Sequence, residues 1–181
     1  MEQPIDNFKI VSQTRRIPEN YTTTMPARAG LMAGIAGSLS IMLVVAVLLV
    51  LSGQDIFTAA RLIAATVYGS EAATGFLPVL IGTSIHLVTG GVLGTIFAAV
   101  IPRAPRNFWI MAGLIYGMGA WLVSTFVILP IIASPMVLGE ANVSVLLIAH
   151  VIYGLILGAA GASYGLLWDL PKRFKSRSTA E

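Results

Sequence analysis

The chain has 181 residues, 56% of them hydrophobic and only 10% charged, with a mean hydropathy of +0.86. A soluble domain carries about 25% charged residues, so a water-soluble all-helical protein of this composition would lack polar residues to cover its surface. Cysteine is absent, which removes disulfides, thiolate metal sites and cysteine nucleophiles together.

Residues 1–28 are polar and contain Pro4, Pro18 and Pro26. A secretory signal would carry its apolar core much nearer Met1, so the first apolar segment is expected to be an uncleaved anchor behind a polar tail. Beyond it the charges cluster. None lies between Arg28 and Asp55, Glu71 and Arg103, Arg106 and Glu140, or Glu140 and Asp169. Each gap exceeds the roughly 20 residues that cross a bilayer core. The predicted class is therefore all-α: a polytopic membrane protein with four transmembrane helices, near 29–52, 74–101, 107–132 and 143–168.

Between the first two spans, Ile56, Ala60, Ile63 and Val67 form one helical stripe, with Phe57, Ala64 and Tyr68 beside it and Asp55, Thr58 and Arg61 elsewhere. Residues 54–72 are too short and too polar to cross, so they predict a short amphipathic helix on the outer surface. A small cap packed down on the bundle is the alternative. Ile101 to Arg106 predicts a tight turn. Pro130 and Pro135 are expected to end the third span, and Asn142 to cap the fourth. Trp109 and Trp168 fall near the cytoplasmic interface, where indole rings are favoured. Residues 169–181 form a basic C-terminal tail.

Ten of the eleven Lys and Arg residues lie in the two tails and the loop between spans two and three; the other side holds only Arg61. This asymmetry predicts both termini in the cytoplasm, in a bacterial inner membrane. It also accounts for the net charge of +3. No basic face with interleaved aromatics supports nucleic-acid binding.

His86 opens His-x3-Gly-x3-Gly ending at Gly94, and His150 opens the same spacing ending at Gly158; these are the only two histidines. Ala29-Gly-Leu-Met-Ala-Gly34 at the start of the first span matches Ala112-Gly-Leu-Ile-Tyr-Gly117 near the start of the third. The matches predict a duplication, with repeat 1 over about 29–101 and repeat 2 over about 107–168. Each repeat has an even number of spans, so the two helical hairpins run the same way across the membrane. The 29–168 membrane domain is then a four-helix bundle with an internal repeat.

Gly30 and Gly34, Gly90 and Gly94, Gly113 and Gly117, Gly154 and Gly158, and Gly161 and Gly165 are each four apart. Residues at this spacing share a helix face, and small faces let membrane helices approach closely. Helix packing is the expected role of the first eight; room for a flat ligand is the alternative.

No Asp, Glu, Lys or Arg falls inside a predicted span, although proton relays and ion paths in membranes use such groups. No nucleophile with a base, carboxylate pair or phosphate loop is recognisable, so no enzyme activity, catalytic residue or metal site is expected. Ser38, Ser40, Ser124 and Thr125 are read as hydroxyls bonded one turn back. His86 and His150 should lie at similar depth, roughly 25–29 Å above the cytoplasmic edge. Either each bonds to a carbonyl or hydroxyl of a neighbouring helix, with Thr83, Ser84, Thr89 and Tyr153 near in sequence, or the two imidazoles bind a b-type haem or a quinone.

Ser84-Ile-His86-Leu-Val-Thr-Gly90, the His150-to-Gly158 motif and Gln54-Asp55-Ile56 resemble a family of small bacterial four-helix membrane proteins of unknown function, common in Chloroflexota. The resemblance covers roughly 25–170. It implies an integral membrane protein and no activity. The polar head is a departure from it.

The expected function is a non-catalytic accessory subunit of a larger bacterial membrane complex, respiratory or photosynthetic electron transfer being the expected host. Its partners would be the lipid bilayer and other integral membrane subunits, whose cytoplasmic face the N-terminal tail would clamp. No cofactor is needed on that reading. A haem- or quinone-binding electron-transfer subunit using His86 and His150 is the alternative, and a small transporter the second.

Overall fold

The computed structural model describes residues 22–69, 74–101, 103–133 and 142–168, without the side chains of 22–23 and 165–168. Residues 1–21 and 169–181 of the expected tails, Pro135 and the Trp168 side chain therefore lie outside the described residues. The elements are α1 (Ala27–Leu51), α2 (Thr58–Tyr68), α3 (Leu77–Val100), α4 (Arg106–Ile132) and α5 (Val143–Trp168). Four of these helices are long and apolar enough to cross a membrane. A two-residue antiparallel ladder pairs Thr22 with Pro105 and Thr23 with Ala104. It ties the segment before α1 to the α3–α4 connection, so both lie at one end of the bundle.

Local chemistry sets the helix starts. Pro26 precedes α1, Pro105 precedes α4, and Pro78 sits in the first turn of α3. Proline is tolerated there because its missing N–H has no helical partner to lose. The Asn142 side chain caps α5, its Oδ1 accepting from the N–H groups of Ser144 (3.0 Å) and Val145 (3.1 Å).

The helices are apolar all round, so periodicity does not choose the buried face. Side-chain size does. On α1 the buried positions are Gly30, Ala33, Gly34, Gly37, Ser38 and Ile41, whereas Met32 is 66% exposed and Leu43 68%. The same inversion holds on α3, where Gly82, Gly90, Gly91 and Gly94 are buried and Leu80, Val88, Val92 and Val100 face out. Water would drive the large chains inward. In hydrocarbon they gain nothing by moving in, and the small faces win because they allow backbone contact.

Two seams result. α1 packs against α3, and α4 against α5; α5 also packs on α1, and α2 on α3. At the first seam a methyl group on Gly30 would collide with the Gly94 carbonyl, and one on Gly34 with the Gly90 carbonyl. At the second, a methyl on Gly113 would meet the Gly154 carbonyl, and one on Gly117 the His150 carbonyl. The matched glycines thus do matched work, but the registers differ: Gly34 faces Gly90, while Gly117 faces the residue one turn before Gly154.

Larger groups join the seams. The Tyr153 ring covers Gly37, where an added Cβ would be 2.8 Å from the ring. Phe97 stands edge-on to Trp109 and Tyr116, with centroids at 5.8 and 5.2 Å. Trp109, fully buried, donates from Nε1 to the Ala104 carbonyl (3.2 Å).

Pro130 does not end the third span, contrary to expectation. The helix runs through it to Ile132, and Ser124–Ile128 ahead of it form a π-turn. Proline removes one backbone N–H and crowds the carbonyl four residues back; a local π adjustment re-pairs the freed backbone groups inside a membrane helix.

α2 covers 11 residues, Thr58–Tyr68, and ends at Gly69 with φ +74°. Its buried face is Ala60, Ala64 and Ala65, and the Ala60 carbonyl lies against Gly82 of α3. Ile56, Phe57, Val67 and Tyr68 face outward. The helix therefore packs down through alanines, as the cap alternative had it, while the large residues of the expected stripe stay exposed, because only alanine fits against glycine at this distance. Asp55 fixes its start. Asp55 Oδ1 accepts from the Phe57 N–H (2.8 Å), and Arg61 Nη1 meets Oδ2 at 2.9 Å. Arg61 Nε also donates to the Gly75 carbonyl (3.2 Å).

Gly34→Leu should force α1 and α3 apart and cost about 1–3 kcal/mol, the usual range for overpacking. Gly119 faces open space, so Gly119→Ala should stabilise by about 0.5–1 kcal/mol through helix propensity. Unfolding in mixed micelles, followed by circular dichroism, checks both; equal effects would sink the backbone-contact account. The Phe57 N–H and then Arg61 hold the Asp55 carboxyl below its ordinary value. The contribution is therefore present above the unfolded aspartate value and is lost as pH falls through the folded one. Amide protection factors in α2, corrected for the intrinsic exchange rate, should fall in acid, and Asp55→Asn should remove that pH dependence.

Candidate functional site

Ser38, His86, Trp121, Ser124 and His150 are polar side chains set well inside the spans. On α1, Ser38 lies about 16 Å from the Ala27 end, and on α3 His86 lies about 21 Å from Val100. On α4, Trp121 and Ser124 lie about 22 and 27 Å from Arg106, and on α5 His150 lies about 27 Å from Trp168. The hairpin-like α1–α3 and α4–α5 pairs run alternately up and down, so these depths share one reference end.

His150 is held at both ring nitrogens. Nδ1 lies 2.7 Å from the Leu146 carbonyl, one turn back on α5. A carbonyl only accepts, so Nδ1 carries the hydrogen and donates. Nε2 lies 3.1 Å from Ser124 Oγ on α4. In the neutral ring Nε2 accepts from that hydroxyl, which also lies 3.1 Å from the Trp121 carbonyl. Ser124 is the first residue of the π-turn. The imidazole therefore ties α5 to the irregular turn of α4.

His86 differs. Its ring bonds to the Ser38 backbone of α1, but Nε2 is buried without a hydrogen-bond partner. Ser38, 1% exposed, sets its Oγ directly over Gly90, one turn from His86 on the same face of α3, and this Oγ too lacks a partner. Thr125 Oγ1 and Trp121 Nε1 complete the unpartnered buried groups among the described residues. The one-turn-back hydrogen bond expected of four hydroxyls occurs in Ser40, which donates to Ala36 (2.9 Å), and is available to Ser124; Ser38 and Thr125 make none.

Tyr153 does not serve the histidines. Its hydroxyl donates to the Gly90 carbonyl across from α5 to α3. Tyr116 does likewise from α4, donating to the Leu93 carbonyl (2.7 Å). Both tyrosines of the second pair thus fasten onto the one stretch of α3 whose carbonyls glycine leaves bare. Sequence reading missed them because a tyrosine in an apolar helix has no spacing signature. The one available signal lay on their partner: the glycine-rich stretch 90–94, whose carbonyls few side chains cover.

The glycines beside the histidines are filled by protein. Gly90 is covered by Ser38 and Gly34, and Gly154 by Gly113 and Gly117. Either imidazole nitrogen can ligate a metal; in His150 both are engaged, and in His86 Nε2 is the unpartnered atom. No group of three or more His, Asp and Glu side chains converges among the described residues.

A double-mutant cycle on Ser124→Ala and His150→Ala should return a coupling of about 0.6 kcal/mol, and at most about 1.7, as for other hydrogen bonds between membrane helices. Additive single effects would show that the contact carries no stability.

No curated protein and no solved structure matches the chain. A family model does, over residues 26–167, which takes in all five helices almost completely. The chain belongs to that family, DUF6789, a family of unknown function.

Proposed function

We propose that the chain is a non-catalytic packing subunit of a larger assembly in the bacterial inner membrane, built from two like-oriented helical hairpins that arose by duplication. The observation that carries this reading is how the spans use their polar groups. Tyr116, Tyr153 and the His150–Ser124 pair all join one helix to another, and beyond Arg28 and Arg106 at the starts of α1 and α4 no Asp, Glu, Lys or Arg lies within the spans to move ions or protons. The outward faces are large and apolar on every span, suited to lipid and to other membrane helices.

The duplication reading draws support from the seams, where Gly30 and Gly34 pack on Gly90 and Gly94, and Gly113 and Gly117 pack on Gly154 one turn out of that register. The cytoplasmic placement of both termini rests on the ten-to-one distribution of Lys and Arg. The ladder between Thr22–Thr23 and Ala104–Pro105 agrees with it, since it joins two segments of the basic side. On this orientation α2 caps the outer end of α3, with Ile56, Phe57, Val67 and Tyr68 at the lipid interface.

Gentle-detergent extraction followed by native electrophoresis and mass spectrometry tests the assembly. The chain should migrate with other integral membrane proteins and deplete a larger complex when deleted; migration alone, with every membrane complex unchanged on deletion, would overturn the reading. The cysteine-free sequence makes orientation directly testable. A cysteine at Gln54 should react with an impermeant maleimide on intact cells, and one at Arg103 only after lysis. The opposite pattern would invert the topology.

A further inference from the structure

The two ends of the bundle treat their arginines differently. At the α2 end, Arg61 meets Asp55 at 2.9 Å and donates to the Gly75 carbonyl. At the other end, Arg103 and Arg106 flank the turn between α3 and α4, and both are exposed. Among the described residues neither guanidinium has a hydrogen-bond or ion-pair partner. Asp55 is the sole Asp or Glu among the described residues, and it lies at the far end. The turn that carries the bare pair is fixed. Ala104 is buried and pairs with Thr23 in the ladder, and its carbonyl accepts from the fully buried Trp109. Three chain steps separate the arginines, so their Cα atoms lie at most about 11 Å apart. One turn into the span, Ile110, Met111 and Ile115 face outward along α4.

We propose that Arg103 and Arg106 form a headgroup site for an anionic phospholipid, with its phosphodiester on the two guanidinium groups and its acyl chains along Ile110, Met111 and Ile115. The site deepens the reading of α4's outward face as lipid-facing and rests on it. A guanidinium presents paired N–H donors that match phosphate oxygens, and it holds its charge at any physiological pH. Net charge selects the lipid. A zwitterionic headgroup would bring an ammonium group to an end where no described carboxylate meets it, whereas an anionic headgroup brings none. The position suits the ligand as well: the arginines stand at the start of a span, at headgroup level, where basic residues attract anionic lipids. The core anchors Ala104 and Trp109, so the backbone of the turn has little freedom left to lose on binding. Arg61 takes no part, because Asp55 already neutralises it.

Native mass spectrometry of the full chain in detergent tests this, with dioleoylphosphatidylglycerol, dioleoylphosphatidylcholine and inorganic phosphate as probes. Phosphatidylglycerol should bind about tenfold more tightly than phosphatidylcholine. Arg103→Gln and Arg106→Gln should each weaken phosphatidylglycerol binding by about fivefold, the worth of one basic residue at the membrane surface, and leave phosphatidylcholine unchanged. Arg103→Lys, which keeps the charge and loses the fork, should lose less than Arg103→Gln. Arg61→Gln at the far end, and Lys172→Gln with Arg173→Gln in the C-terminal tail, should stay within about twofold of wild type. The unfolding midpoint in lipid-free micelles should be the same for the Arg103 and Arg106 variants as for wild type, since both side chains are exposed. Equal affinity for the two lipids would overturn the proposal and leave the arginines to acidic groups of a partner chain. A tail variant that loses as much binding as Arg106→Gln would overturn it too, by showing attraction without a site. Displacement of the lipid by an equal concentration of inorganic phosphate would do the same and mark a site for a soluble anion. Detergent removes sidedness, so the topology can fail its maleimide test, and the assembly its native-migration test, without touching this result.

Discussion

Backbone meeting backbone at glycine is the constraint on which the rest of this structure depends. At Gly30, Gly34, Gly90 and Gly94, and again at Gly113, Gly117, Gly154 and Gly158, there is no room for a methyl group against the facing helix. Helices that approach so closely fix their register by shape, because ridges of large side chains cannot slide past a groove one atom deep. In lipid, where burying a leucine brings no gain, this contact supplies the dispersion energy that holds the helices together.

The placement of other residues follows. Along the glycine faces large apolar chains are turned outward, so Met32, Leu43 and Val88 are exposed while Ser38 is buried; Phe97, Trp109 and Leu157 fill the core beside the seams. The glycine stretch of α3 leaves its carbonyls uncovered, and Tyr116 and Tyr153 reach them with hydroxyl groups. These two bonds run from α4 and α5 to α3. They make the four helices one body out of two similar halves.

The same close packing forces the halves to differ. A slip of one turn between the seams sets Gly117 against the His150 carbonyl, whereas Gly34 meets Gly90. The π-turn ahead of Pro130 then presents Ser124 to His150. In the first half the facing helix presents Ser38 over Gly90 and leaves His86 Nε2 unpaired. Two residues alike in motif thereby acquire different surroundings: His150 ties two helices, and His86 keeps one ring nitrogen without a partner.

The four spans were legible because charge is absent from them and present between them, and the cost of burying charge in hydrocarbon makes that pattern hard to mistake. The glycine spacing likewise identified which faces pack, since only small residues four apart open a groove. Which residues of α2 pack against the bundle was not legible, because periodicity marks an apolar stripe without saying whether alanine or isoleucine turns inward; Gly82 bears on that, and it lies on another helix. Pro130 was misread because a π-turn elsewhere in the helix absorbs it. By itself, the sequence determined what enters the membrane and which faces are small, both being sums over local composition. Which carbonyl each tyrosine meets, the one-turn slip between the seams, and the split between His86 and His150 were decided only by the tertiary structure, because each depends on atoms brought together from helices distant in the chain.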